Sequence, residues 1–112
     1  METSVVSETE TMMASGPLSG LRILDLSRIL AGPTCTQLMG DYGADVIKIE
    51  KPGTGDDTRS WGPPFLGDEA GTTSGESAYY LSSNRNKRAV GVNITDADEQ
   101  ALIHRLARRR EV

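Results

Sequence analysis

The sequence predicts an α/β protein: the N-terminal half of a Rossmann-like parallel sheet in the order β-α-β-loop-β-α, which makes an incomplete domain. Two short apolar runs, residues 22–27 and 45–50, flank a helix-length segment that ends in glycines. The second run is rich in β-branched residues, as in parallel strands that helices cover on both faces. A third run, residues 88–93, precedes an amphipathic helical pattern. Strands that alternate with helical segments indicate a parallel sheet.

The first strand leads through an Ala-Gly-Pro turn into a predicted helix over residues 34–43. Pro33 has a fixed φ that suits the first turn of a helix. Glycine at position 40 or 43 permits a left-handed cap, so we expect the helix to end at one of them. The second strand then covers residues 45–50.

Residues 51–78 are predicted to form one long irregular region, because Gly, Pro, Asp, Ser and Thr dominate its composition. Loops of this length are usually functional or disordered. Asp56, Asp57 and Arg59 fit ordinary turn chemistry there. The apolar side chains between Trp61 and Phe65 favour a loop that packs against the domain.

The C-terminal segment predicts a helix over residues 97–110. Asp96 is the expected N-cap, and Glu99 three residues later completes a capping-box spacing. Leu102, Ile103, Leu106 and Ala107 share one apolar face of this helix. Because the domain is incomplete, we expect this face to be left partly uncovered.

Charge, cysteine content and hydropathy argue against several classes of protein. The net charge is −4 at pH 7, which argues against a general binder of nucleic acid or of anionic membranes. Cys35 is the single cysteine, so we expect no intrachain disulfide and no cysteine-cluster metal site. No apolar run approaches the ~18 residues of a membrane span.

Residues 1–17 resemble neither a secretory signal nor a mitochondrial presequence. They are expected to be a disordered tail on an intracellular protein of the cytoplasm or the mitochondrion.

A strand that runs into a glycine-rich loop is typical of nucleotide-binding folds, but the dinucleotide fingerprint is missing. G-x-G-x-x-G should follow the first strand, where the sequence has only Gly32 and then Pro33. Gly53 and Gly55 follow the second strand instead, so a conventional NAD or FAD site is disfavoured. The sequence contains no P-loop motif.

Glu50 and Lys51 end the second strand, where related folds often place a ribose-binding acid. One interpretation is a solvated Glu-Lys pair. The other is that Lys51 pairs with a phosphate on an adenosine ribose. The NRNKR stretch, residues 84–88, leaves a similar choice between a solvated positive turn and a turn that faces an anion.

A nucleophilic cysteine needs a base. The single histidine, His104, lies on the polar side of the last predicted helix, far along the chain from Cys35. We therefore expect Cys35 to be a small packed residue and His104 to be solvated.

Three motifs, in order, resemble the family III CoA-transferases, or CaiB/BaiF family, which includes formyl-CoA transferase. They are Ala-Gly-Pro after the first strand, GADVIKIEKPGTGDDTR over residues 43–59, and NRNKR before the third strand. The resemblance covers residues 17–112, so that residues 18–112 correspond to the N-terminal part of the family's CoA-binding domain. TRSWGPPF, residues 58–65, is most similar to the succinyl-CoA:glutarate branch.

This resemblance implies an α/β domain that binds CoA, in two chains interlocked as a homodimer. It implies CoA or acyl-CoA and a carboxylic acid as substrates, with no permanently bound cofactor. In the family an aspartate carboxylate attacks the acyl-CoA thioester to give a mixed anhydride. The CoA thiolate returns to form an enzyme-bound thioester, and the acceptor acid then takes the CoA.

Carried over by position, the resemblance places Ile29 and Leu30 along the CoA and Lys51 near the adenosine 3′-phosphate. Tyr79 matches a tyrosine near the active site. The stretch that the resemblance sets beside the adenine consists of Val92, Asn93, Ile94 and Thr95.

The family's nucleophilic aspartate corresponds to a position beyond residue 112, so the resemblance assigns no catalytic residue within this chain. Asp41, Asp45, Asp56 and Asp57 match other positions of the motif. The sequence therefore predicts a truncated N-terminal portion of a CoA-transferase that is inactive alone. Two other hypotheses stay open: a small stand-alone nucleotide- or CoA-binding module, and an interaction fragment that pairs with a full-length homologue through a sheet edge.

Overall fold

The computed structural model describes residues 16–67 and 73–112. Its strands are β1 (Arg22–Asp25), β2 (Asp45–Glu50), β3 (Phe65–Gly67), β4 (Thr73–Ser77) and β5 (Lys87–Gly91). Its helices are α1 (Ala31–Asp41), α2 (Ala78–Ser83) and α3 (Ala97–Ala107), with a 3-10 helix over Asp57–Ser60. The expected tail lies outside the described residues up to residue 15.

A three-stranded parallel sheet in the order β1-β2-β5 forms the centre of the fold, and it confirms the predicted fold class. The register sets Asp25 beside Lys48, and Lys48 beside Ala89. The last two residues return to the edge of β1 that faces away from β2, where the Leu24 N–H donates to the Val112 carbonyl at 2.8 Å. Open α/β sheets bind ligands at the carboxyl ends of their parallel strands.

The two faces of the sheet carry separate apolar clusters. Ile23 and Val46 pack with Ala44 on the face that α1 covers. Ile47 and Ile49 pack on the opposite face against the apolar side of α3, whose side chains are only partly buried. On the α1 face, β2 presents Val46, Lys48 and then Glu50, so this face changes from apolar to charged toward the carboxyl end of the strand.

Three boundaries differ from the sequence prediction for local reasons. β1 ends at Asp25 and not at residue 27, because the Asp25 carboxylate accepts the Ser27 N–H at 2.8 Å and turns the chain. α1 begins at Ala31, ahead of Gly32 and Pro33, since a proline needs no N–H partner in the first turn. β5 covers Lys87–Gly91, one residue earlier at its start than predicted.

The region 51–78, predicted to be irregular throughout, contains regular structure. Residues 57–60 form the 3-10 helix, and β3 pairs with β4 as an antiparallel ribbon. The prediction was wrong because each element is short, and because the two strands each contain a glycine that interrupts the alternation by which strands are recognised.

The N-terminus of α3 forms half of the expected capping box. The Asp96 carboxylate accepts the Glu99 N–H at 3.0 Å, as predicted. The Glu99 carboxylate instead accepts the Asn93 N–H at 3.3 Å and so ties the helix to the loop after β5. None of the helices within the described ranges has the length and apolar composition needed to cross a bilayer.

Candidate functional site

A crevice of about 320 Å³ opens at the carboxyl ends of the three parallel strands. Its walls come from the segments that follow β1, β2 and β5, with the end of β2 as its floor. The lining consists of Leu26, Arg28, Lys48 to Lys51, Gly55 to Asp57 and Val92 to Thr95. This is the edge at which open α/β sheets bind ligands.

A buried ion pair lies at the floor of the crevice. The Lys48 ammonium donates to the Asp56 carboxylate at 2.7 Å, and both side chains are completely excluded from solvent. Lys48 also donates to the Asn84 side-chain oxygen at 3.0 Å, and Lys87 donates to the same oxygen. Lys87 in turn pairs with Asp25 at 3.2 Å. These charges neutralise one another inside the protein, so they offer nothing to a ligand.

Glu50 is fully occupied by protein groups. One carboxylate oxygen accepts the Asp56 N–H and the Arg59 Nε, both at 2.7 Å. The other accepts the second Arg59 nitrogen and the Tyr80 hydroxyl, both at 2.8 Å. The Arg59 guanidinium also stacks 3.8 Å from the Tyr80 ring centroid. Glu50 therefore has no oxygen left for a ribose hydroxyl, and the interpretation of a solvated Glu50–Lys51 pair is wrong.

Three N–H groups of the glycine-rich loop after β2 turn inward and bond within the protein. Thr54 donates to Pro52, Gly55 donates to Lys51, and Asp56 donates to Glu50. Gly55 has φ +70°, and a Cβ there would lie 2.5 Å from the Glu50 carboxylate. Glycine is needed at this position so that the Glu50–Arg59 pair can approach the backbone.

Two cations and two apolar side chains of the lining remain available. Lys51 is exposed, and its side chain has no hydrogen bond or ion pair to any described residue. Arg28 is 65% exposed and lies 3.7 Å from Asp57, a long and weak pairing. Leu26 and Ile94 are each more than half exposed beside them. A ligand with a phosphate and a flat apolar ring would find partners for both.

Most of the residues predicted to contact CoA meet in this crevice. Lys51 and the stretch from Val92 to Thr95 line it. Ile29 and Leu30 do not belong to the lining, whereas their neighbour Arg28 does. Contact of Ile29 and Leu30 with CoA stays a prediction.

Tyr79 lies in a second cavity of about 350 Å³, together with Trp61, Pro63 and Pro64. Its ring packs edge-on against Trp61 with the centroids 5.1 Å apart, so the apolar part of the long loop does pack, as expected. The neighbouring Tyr80 donates its hydroxyl to Glu50, which lines the crevice, and a place for Tyr79 near the active site stays a prediction.

Both arginines of the basic NRNKR stretch are exposed, as the interpretation of a solvated turn predicts, whereas the Lys87 side chain is buried against Asp25. Arg85 pairs with Asp41 at 2.6 Å, and Arg88 pairs with Asp45 at 2.5 Å. His104 is exposed, as expected. Cys35 is also exposed, which contradicts the expected packed position, because it lies on the outer side of α1.

Sequence reasoning missed the polar residues that shape the crevice: Arg28, Lys48, Arg59, Tyr80 and Asn84. One of them carried a usable signal. A lysine in the middle of a strand whose other residues are mostly apolar must find a buried anion, because a buried ammonium group is costly without one. Asp56 was assigned turn chemistry, which it does perform by accepting the Thr58 N–H at 3.0 Å, but it also neutralises Lys48.

Comparisons with known proteins agree with the geometry. The model of CoA-transferase family III matches residues 18–112. The chain is 56% identical over 91 residues to a human protein named succinyl-CoA:glutarate CoA-transferase, covering 81% of this chain and 19% of the relative. It is 47% identical over 96 residues to succinate–glutarate CoA-transferase of Agrobacterium fabrum, covering 86% and 24%.

A solved structure of a CaiB/BaiF family protein from Brucella suis superposes with a TM-score of 0.76 at 43% identity. The match covers 87% of this chain and 25% of that protein. The chain thus spans between about a fifth and a quarter of the length of these relatives.

The bonds to the carboxylates of Glu50 and Asp56 predict that the folded state loses stability as the pH falls. Burial alone would raise the pKa of Glu50, but the bonds from Arg59, the Asp56 N–H and Tyr80 lower that pKa to about 2. Burial would likewise raise the pKa of Asp56, which Lys48 and Thr58 lower to about 2. An unfolded chain has carboxyl pKa values near ~4. Stability from these groups is therefore complete above about pH 5 and is lost as the pH falls from about 4 toward 2.

We expect the urea midpoint of the wild-type chain to fall steeply over that pH window. In Glu50→Gln the midpoint should start lower at pH 7 and fall less on acidification, because on the order of 3 kcal/mol of linkage is removed. Tyr80→Phe removes one of the four bonds and should give an intermediate slope. Equal pH slopes for the wild type and Glu50→Gln would contradict the assignment.

Proposed function

Because the chain belongs to CoA-transferase family III, we propose that its crevice binds the nucleotide end of CoA during transfer of CoA between an acyl-CoA and a carboxylic acid. The observation that carries the proposal is Lys51. Lys51 is a cation at the carboxyl end of β2 that pairs with no side chain in the described part of the chain, in a crevice whose Lys48, Glu50 and Asp56 are already satisfied. The ligand must then bring the anion.

The same geometry favours CoA over NAD. The usual NAD site needs a free acid at the end of the second strand and a glycine-rich turn after the first. Here Glu50 is occupied by Arg59, and the loop N–H groups turn inward. A 3′-phosphate, which CoA carries and NAD lacks, gives Lys51 a partner, while Leu26 and Ile94 offer apolar surface to the adenine.

We infer the substrate pair from the relatives. The human and Agrobacterium proteins carry names that state CoA transfer between succinate and glutarate. Succinyl-CoA as donor and glutarate, or another dicarboxylate, as acceptor are therefore the substrates to test first. An interlocked homodimer and an intracellular location, in the cytoplasm or the mitochondrion, belong to the same proposal, with no nucleic acid or membrane partner. CoA enters as a substrate and not as a resident cofactor.

Lys51→Ala should weaken binding of CoA more than binding of dephospho-CoA, which lacks the 3′-phosphate. A charge-assisted phosphate contact contributes about 1.5–3 kcal/mol, so we expect the Kd for CoA to rise at least about tenfold. Isothermal titration calorimetry of the chain with both ligands measures this difference. Arg88→Ala, which removes an exposed cation at the opposite end of the sheet, serves as the control. Equal losses for the two ligands would refute the role of Lys51.

We further propose that this chain alone binds CoA but does not turn it over. The resemblance sets the nucleophilic aspartate beyond residue 112, and within the crevice Glu50 and Asp56 are buried and bonded. Asp57 is half-exposed but matches a position of the motif with another role. Incubation with succinyl-CoA and glutarate should therefore give no glutaryl-CoA by mass spectrometry. If glutaryl-CoA forms, and if the Asp57→Asn substitution abolishes its formation, this proposal is wrong.

CoA binding without turnover fits either a portion of a transferase or a stand-alone CoA-binding module. Co-elution of the chain with a full-length homologue on size-exclusion chromatography would instead favour the interaction fragment. The outer edge of β5, whose residues from Arg88 to Gly91 are exposed, is the surface such pairing would use.

A further inference from the structure

The loop after β1 contains a residue in a costly backbone conformation. Ile29 has a φ of +75°, in the left-handed region. A β-branched residue there is a genuine outlier, because its side chain crowds the backbone. Such a conformation persists only where the surroundings impose it, and it is most frequent at functional sites.

The group that imposes it is the buried carboxylate of Asp56. The Ile29 N–H donates to the two Asp56 oxygens at 3.1 and 3.4 Å, across 27 residues of sequence. Asp56 is itself held from two other directions, by the Lys48 ammonium at 2.7 Å and by the N–H and hydroxyl of Thr58 at 3.0 and 2.9 Å. The carboxylate therefore has little freedom, and the loop is fastened to a fixed point.

We propose that Asp56, oriented by Lys48, is a positioning residue for the CoA crevice: it holds Ile29 in its left-handed conformation and thereby sets Arg28 on the crevice wall opposite Lys51. This inference rests on the proposed function for its ligand. Arg28 directly precedes Ile29 and lines the crevice, so any rotation at Ile29 displaces it. The pair Lys48–Asp56 thus connects the two walls that follow β1 and β2.

A purely structural role for the pair predicts something different. If Lys48 and Asp56 only stabilised the domain, a substitution that preserved stability would also preserve CoA binding. If they position the loop, the anchor can be removed from a folded protein and the affinity will fall. The decisive variant must therefore remove the bond to Ile29 without leaving a buried charge alone.

Lys48→Met combined with Asp56→Asn meets this requirement. The amide oxygen can still accept from Thr58, while the amide nitrogen, a donor, replaces the nearer of the two oxygens that accept from Ile29 and leaves only the 3.4 Å contact. Exchanging a buried ion pair for neutral groups of similar size is often close to neutral for stability. The control is Arg85→Met with Asp41→Asn, which removes a single ion pair that lies outside the crevice lining.

A second variant tests the same bond from the other side. Ile29→Pro removes the N–H donor and excludes a positive φ, and it leaves Lys48 and Asp56 untouched. Ile29 lies in a loop, so this variant keeps the proposal testable even if the double substitution prevents folding.

Three measurements on the whole chain decide the matter: melting temperature, amide hydrogen exchange at Ile29 without ligand, and CoA affinity by calorimetry. We expect the Lys48→Met/Asp56→Asn variant to melt near the control, to exchange its Ile29 amide at least about tenfold faster, and to bind CoA about tenfold more weakly. Ile29→Pro should lose affinity to a similar degree. The control should bind CoA as the wild type does.

An Ile29 amide as protected in the double variant as in the wild type would overturn the proposal. So would unchanged CoA affinity in Ile29→Pro. If the wild-type chain does not bind CoA at millimolar concentration, the proposed function fails; faster exchange of Ile29 in the double variant would still establish that Asp56 holds the loop.

Discussion

The buried ion pair between Lys48 and Asp56 is the interaction on which the rest of this structure depends. Lys48 projects from the central strand of the sheet, where an unpaired ammonium group would be untenable. Removing one partner of such a pair typically costs about 3–5 kcal/mol, a large share of the stability of a small domain. Through Asp56 the pair also fixes the Ile29 loop, and through Asn84 it fixes the turn before β5.

Because of this arrangement, the number of charged residues in this part of the sequence overstates the number of charged groups that a ligand can contact. Lys48, Glu50, Asp56 and Arg59 all lie in or next to the crevice, yet each is satisfied by another protein group. Three N–H groups of the glycine-rich loop likewise donate hydrogen bonds to oxygens of the protein. Among the described cations of the crevice lining, Lys51 and Arg28 remain available to a ligand. Arg28 is held only by a long ion pair with Asp57.

The sequence was sufficient for the parallel sheet, because the period of the apolar residues and the glycines between them are local signals. Lys51 and the stretch from Val92 to Thr95 follow neighbouring strands and line one crevice, and their contact with CoA stays a prediction. The sequence was insufficient for Glu50 and Tyr80, whose roles depend on a bond between residues 30 positions apart. The β3–β4 ribbon escaped prediction because its strands are short and rich in small residues.

The central claim is that CoA binds at the carboxyl ends of the strands, and nuclear magnetic resonance of the isotope-labelled chain tests it most directly. Titration with CoA should shift the amide signals of the crevice, above all those near Arg28, Lys51 and Ile94. Signals around Trp61 and Tyr79, in the second cavity, should change little. The largest shifts at Trp61 and Tyr79, with the crevice signals unmoved, would contradict the account.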